Sequence, residues 1–167
     1  MFIGNLPQLM TVYSQWQNAK LFDACLLLDD AERRLDRGVR FGSIHGMLNH
    51  ALWVDHAWLA HLSNHDPRLP PMGTWLFDDF TGLHEARLTL DRQLIVWADG
   101  LTPEWLSESV TWRSRGYEFS QTVPRWVQVQ HFFNHQTHHR GQLSTLLTQA
   151  GIDIGETDLP MSPLLND

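Results

Sequence analysis

Four of the chain's ten histidines fall within nine residues: His131, His135, His138 and His139. If this stretch is helical, at about 100° per residue, His135 and His139 lie one turn apart at the edge of the apolar arc. Two imidazoles at this spacing can give two nitrogen ligands to one metal ion. The spacing also arises by chance, and a buried histidine is often simply hydrogen-bonded. A metal site therefore needs a third ligand from elsewhere in the chain.

The best candidate for that third ligand is His50. Ser43 predicts the N-cap of a helix that runs to about residue 64, and His50 borders its apolar arc while Asp55 falls inside it. Three neutral imidazoles around one ion leave a coordination position open, which is typical of catalytic rather than structural sites. The remaining histidines of this helix fit solvated or locally hydrogen-bonded roles better: His45, His56 and His61.

Four long amphipathic segments have to position these side chains. Apolar residues recur at steps of three and four, and capping or helix-breaking residues flank the segments. Thr122 is the expected cap of the last helix, with Pro124 in its first turn and Gly151 at its end. The loop at residues 66–73 is rich in proline. The predicted helices are residues 6–36, 44–64, 80–99 and 123–150.

A short β-hairpin is expected before the last helix. Apolar and polar residues alternate at positions 110–112 and 117–119 about a glycine-containing turn at 113–116. The fold class that follows is all-α: a single domain, residues 1–167, forming an up-and-down four-helix bundle with a hairpin before its last helix. The interior of such a bundle is where side chains from facing helices build metal sites.

Composition excludes several classes of partner. The net charge is −7 without any basic run, so the sequence predicts no nucleic-acid partner. No window approaches about 18 uninterrupted apolar residues, so no membrane partner is expected. No signal peptide is evident, and the single cysteine, Cys25, lies in an apolar run that favours a buried thiol. These features predict a cytoplasmic protein.

Two motifs together resemble the DinB-like family. They are Asn49-His50 and Asn134-His135-Gln136-Thr137-His138-His139-Arg140-Gly141-Gln142, and the resemblance extends over the helix order, the hairpin and the Gly-Ile-Asp stretch at 151–153. It implies a four-helix bundle that binds one divalent ion, commonly zinc or nickel, through three histidines. Carried onto this sequence, those ligands are His50, His135 and His139. Family members are often homodimers, so the resemblance leaves a homodimer open.

Three further residues are candidates for supporting the ligands. Asp55 lies in an apolar arc and must be paired; it orients a ligand histidine or, more simply, pairs with Arg87 or Arg140. His138 is a candidate proton shuttle whose simpler interpretation is an exposed histidine. Gln142 lies near His135 on the helical wheel and is a candidate for lining the pocket.

Three functions are compatible with such a centre. The first, favoured by the resemblance alone, is a thiol-dependent transferase or isomerase whose small-molecule substrate reacts with a low-molecular-weight thiol. The second is a metal-dependent hydrolase, which needs a general base such as Asp55, Glu118 or a histidine. The third is a non-catalytic, stress-related metal-binding protein. The sequence contains no motif that names the substrate.

Overall fold

The computed structural model describes residues 5–113 and 118–163. Four long helices dominate it: α1 (Leu6–Leu26), α3 (Ile44–Leu62), α4 (Phe80–Asp99) and α6 (Arg125–Gln149). The shorter elements are α2 (Asp30–Arg34), α5 (Pro103–Ser107), the strands β1 (Ser109–Arg113) and β2 (Ser120–Pro124), and a 3₁₀ turn at Leu159–Met161. The structure confirms the helical bundle with an antiparallel hairpin before its last helix.

The four long helices occupy the corners of the bundle. α1 packs against α4 and α6, and α3 packs against the same two helices, so α1 and α3 lie at opposite corners. The bundle's interior is filled by fully buried apolar side chains such as Leu83, Leu90, Phe132 and Leu147. Because α3 and α6 are neighbours, residues on their facing sides can meet. Among the described residues, no helix combines the length and apolar character needed to cross a bilayer.

Polar side chains fix where three of these helices begin. The side chain of Asn5 accepts a hydrogen bond from the backbone N–H of Gln8, and Asp79 does the same for Gly82. Ser43 Oγ accepts from the Gly46 N–H at 3.0 Å, which confirms the predicted cap of α3. Such caps satisfy backbone donors that the first helical turn leaves free.

The prediction of one helix over residues 6–36 was wrong beyond residue 26, because this segment divides into α1 and α2. The Asp29 side chain accepts from the Glu32 N–H at 2.8 Å and starts a new helix. Leu26 and Leu27 are 58% and 72% exposed, so the apolar run does not continue along the core face. The Asp29 cap therefore begins a separate helix at a point where the apolar pattern alone predicts one continuous helix.

The end of the hairpin also differs from the prediction. Thr122 does not cap the last helix; it lies in β2 opposite Thr111, and their hydroxyl oxygens are 2.9 Å apart. The helix begins only after Pro124 and has no side-chain cap. Glu118 and Phe119 precede β2, and residues 114–117, which hold most of the expected turn, lie outside the described residues. The β-ladder thus takes the residues that the sequence assigned to the start of the helix.

Candidate metal centre

The three candidate ligands come from two neighbouring helices and lie together. His50 projects from α3, and His135 and His139 project from α6, one turn apart. The ring centroids of His50 and His139 are 4.7 Å apart, and those of His135 and His139 are 4.3 Å apart. His139 therefore stands between the other two imidazoles.

Each of these rings keeps a buried nitrogen without a hydrogen-bond partner among the described residues. The three atoms are His50 Nδ1, His135 Nδ1 and His139 Nε2. An unsatisfied buried polar atom costs free energy, so three of them on adjacent rings need an explanation. A bound cation would provide one, because a neutral imidazole nitrogen offers it a lone pair.

The protonation state of the rings suits a cation. Burial is the main reason why the pKa of His50 falls to about 3 and that of His135 to about 4. Burial likewise lowers the pKa of His139. The mutual repulsion of the neighbouring rings adds to the effect at His50 and His135. All three imidazoles are therefore neutral near neutral pH, as metal ligands must be.

Gln142 orients the central ring. Its Oε1 accepts a hydrogen bond from His139 Nδ1 at 3.0 Å, which leaves the lone pair on Nε2. Histidines that bind metals commonly donate their other nitrogen's proton in this way. The contact fixes the tautomer that ligation through Nε2 requires.

The rings do not form a finished coordination site. In the part of the chain that the structure describes, no group of three or more His, Cys, Asp or Glu side chains is arranged to hold an ion as it stands. The imidazoles instead meet edge to face, at interplanar angles of 85° and 80°. The donor set, its charge state and its unpaired nitrogens nonetheless fit a divalent ion.

Comparison with known proteins identifies the family. The family model described as DinB family matches residues 1–165. The chain belongs to the DinB family. Neither a curated protein nor a solved structure gives a match to it. Membership in the DinB family suggests a metal-binding protein, without specifying the ion or the reaction.

Asp55 does not contact the histidines of this DinB family protein by a hydrogen bond. Its Oδ2 pairs with Arg87 Nη1 at 2.6 Å and accepts from Gln136 Nε2 at 2.9 Å. Arg87 also pairs with Asp91 at 2.7 Å. Of the two arginines that the sequence offered as partners, the structure selects Arg87. The cluster is buried in the middle of the bundle, where paired charges are the rule.

The remaining candidate lies on the outer face of α6. His138 is exposed, and its ring meets that of His139 edge to face at 5.2 Å. His138 and Gln142 line an open groove of about 620 Å³ that touches none of the three candidate ligands. A second cavity, of only about 20 Å³, lies inside the bundle between His139 and the Asp55–Arg87 pair. It is large enough for about one water molecule.

Two residues at the centre escaped the sequence analysis. Phe41 stacks on His50 with ring centroids 3.6 Å apart and covers one face of that ligand. Asn49 is buried, and its Oδ1 accepts from the backbone N–H groups of Leu76 and Phe77 at 2.8 and 3.0 Å. It therefore ties the segment that precedes α4 to the helix that carries His50. The motif Asn49-His50 could have suggested such a role for Asn49, whereas no local pattern marks Phe41.

Proposed function

We propose that His50, His135 and His139 bind one divalent cation, zinc or nickel, and that the centre serves a thiol-dependent transferase or isomerase. The observation that carries the metal site is a group of three buried imidazole nitrogens on two facing helices, none with a hydrogen-bond partner in the described ranges. Family membership supports it. The thiol-dependent reaction rests on the resemblance to the family and on the chemistry below.

A divalent ion bound there would act as a Lewis acid and lower the pKa of a thiol that reaches it. The chain's own residues prepare the site. Gln142 holds His139 in the tautomer with a free Nε2, and Phe41 holds the ring of His50 from one side. With three protein ligands, a further coordination position remains for a small molecule.

The thiol would have to come from outside the chain. Cys25 is completely buried, and burial raises the pKa of its thiol to about 12. A thiol that stays protonated and enclosed is a poor nucleophile. A low-molecular-weight thiol would therefore enter as a cosubstrate beside the small-molecule substrate.

The hydrolase alternative has weaker support. It requires a carboxylate or imidazole free to take a proton from water. Asp55 Oδ2 is already engaged by Arg87 and Gln136 and is therefore not free to take a proton from water. Glu118, the other carboxylate considered as a base, is exposed just before β2 rather than enclosed with the histidines.

The test is to add thiol to protein loaded with cobalt. The proposal expects the visible absorption spectrum to change on adding a small thiol, in wild type and in His138→Ala but not in His139→Ala. Turnover of ester or amide probes without any thiol, lost in His139→Ala, would favour the hydrolase. A cobalt spectrum indifferent to thiol would contradict the thiol-dependent reaction.

A further inference from the structure

A tight turn carries Arg40 and Phe41 to the histidine centre. The Gly42 N–H donates to the Val39 carbonyl at 2.8 Å, so Arg40 and Phe41 occupy the two central positions. The Arg37 N–H donates to the Gly42 carbonyl at 2.7 Å and closes the base of the turn. Gly42 has φ +76°, a conformation that side chains rarely adopt. These bonds make the turn a defined structure rather than a loose loop.

The turn is pressed against the start of α3. A Cβ on Gly46 would lie 2.0 Å from the carbonyl oxygen of Phe41, so only glycine permits this approach. One helical turn further along α3, His50 stacks against the Phe41 ring at an interplanar angle of 16°. Gly46 and this stack fix the position of the turn relative to the candidate ligands.

Arg40 places a positive charge beside the centre. Its guanidinium carbon lies 5.6 Å from the centroid of the Phe41 ring, within the range of a cation–π contact. Because the Phe41 ring stacks on His50 with centroids 3.6 Å apart, the Phe41 ring links the guanidinium to a candidate ligand. The Arg40 side chain is exposed, so a molecule approaching from solvent can reach it.

Arg40 differs from the arginines that precede it. Each of the three arginines before it pairs with a carboxylate. Arg33 pairs with Asp30, Arg34 with both Asp30 and Asp78, and Arg37 with Glu32. None of the carboxylates in the described ranges forms an ion pair with Arg40. The nearby Asp36 instead accepts a hydrogen bond from the Gly38 N–H at 3.0 Å.

We propose that Arg40 recognises an anionic group, a carboxylate, on the small molecule that enters the histidine centre. This inference rests on the proposed function, because it assumes that a substrate or cosubstrate binds there. Arginine suits the task, since its planar donors match the two oxygens of a carboxylate. The turn and the Phe41 ring restrain the guanidinium, which reduces the entropy lost on binding.

The test compares two thiols that differ in one charge. Dissociation constants for 3-mercaptopropionate and its uncharged amide are measured on cobalt-loaded protein from the change in absorption. The ratio of the two constants is then compared between wild type and Arg40→Gln, which cancels the difference in thiol acidity. The expected result is that Arg40→Gln reduces the preference for the acid by about two- to fivefold, as for a solvent-exposed ion pair.

Two further variants and an NMR titration of metal-free protein test the same proposal. Arg92→Gln, which removes an exposed arginine on α4, should leave the ratio unchanged, and Arg40→Lys should restore part of it. On metal-free protein, acetate should shift the NMR side-chain signal of Arg40 several-fold more than acetamide does, and more than acetate shifts that of Arg92. A ratio unchanged in Arg40→Gln, or an equal response of the two arginines to acetate, would overturn the proposal. If neither thiol changes the absorption of cobalt-loaded protein, the proposed function fails. The acetate titration of metal-free protein then still decides whether Arg40 binds a carboxylate.

Discussion

Replacing Arg87 with methionine should destabilise the protein by about 3–5 kcal/mol, because it leaves two carboxylates buried without their cation. Arg87 is 4% exposed, and its partners Asp55 and Asp91 are 5% and 2% exposed. Burial opposes its charge, but the attraction of both aspartates outweighs this and raises the pKa of Arg87. A loss of this size is a large part of a typical folding free energy.

The effect of this substitution should depend on pH in a defined direction. Burial already raises the pKa of Asp91, and Arg87 is the main group that opposes this shift, so the pKa of Asp91 should rise further without Arg87. The folded variant then binds more protons than the unfolded chain, so its stability falls as the pH rises through the folded pKa of Asp91. The destabilisation should therefore be greatest near pH 7 and smaller near pH 5.

The assays are urea unfolding of metal-free protein at both pH values and thermal unfolding near pH 7, each followed by circular dichroism. For a chain of this length the expected loss lowers the melting temperature by roughly 10 °C near pH 7. Arg34→Met is the matched control: it removes solvent-screened surface ion pairs with Asp30 and Asp78 and should change the unfolding free energy far less than Arg87→Met does. An Arg87→Met variant within about 1 kcal/mol of wild type near pH 7 would refute the reasoning.

Three other perturbations have defined outcomes. Asn49→Ala should cost about 2–4 kcal/mol in urea unfolding, because it leaves the backbone N–H groups of Leu76 and Phe77 without their side-chain acceptor. Gln142→Ala should weaken zinc binding about tenfold in a chelator competition, because His139 loses the acceptor that fixes its tautomer. Metal-free protein should lose stability as the pH falls from about 6.5 to 4.5, because the pKa values of His50 and His135 are lowered to about 3 and 4 in the fold. Unfolding free energies measured across that range should fall by about 1–2 kcal/mol, less than the full shifts imply because the site is partly solvated.

Each of these outcomes has a control. Asn134→Ala removes an exposed side chain on α6 and should change stability by less than about 0.5 kcal/mol. Gln130→Ala, on the same outer surface, should leave zinc affinity unchanged. His50→Gln should make the pH dependence shallower. Equal losses in Asn49→Ala and Asn134→Ala, or unchanged zinc affinity in Gln142→Ala, would contradict the corresponding contact.

Local chemistry was enough to predict much of the fold. The periodic apolar residues of α4 gave its bounds, Phe80–Asp99, and Ser43 gave the start of α3. Errors arose where a local cap competed with a longer pattern, as Asp29 does after α1. They also arose where pairing between strands took residues from a helix, as at Thr122. Strand register depends on the partner strand, which a single segment does not specify.

In the candidate site, too, features set by local sequence were predicted and features set by distant contacts were not. The spacing on one helix predicted that His135 and His139 share a face, and the bundle brings His50 to them. The contacts of Phe41 and Arg40 could not be predicted, because they depend on a turn folding back over α3. Gly42 and Gly46 are the only sequence trace of that close approach, and a glycine alone does not say what it approaches.

The most direct test of the metal centre is the metal content of untagged protein measured by mass spectrometry, in wild type, His139→Ala and His138→Ala. His138 is the matched control, since it is the adjacent histidine and is exposed on the outer face of α6. We predict about one equivalent of zinc or nickel in wild type and in His138→Ala, and little in His139→Ala. Little metal in wild type after incubation with both ions, or equal metal in all three proteins, would contradict the three-histidine site.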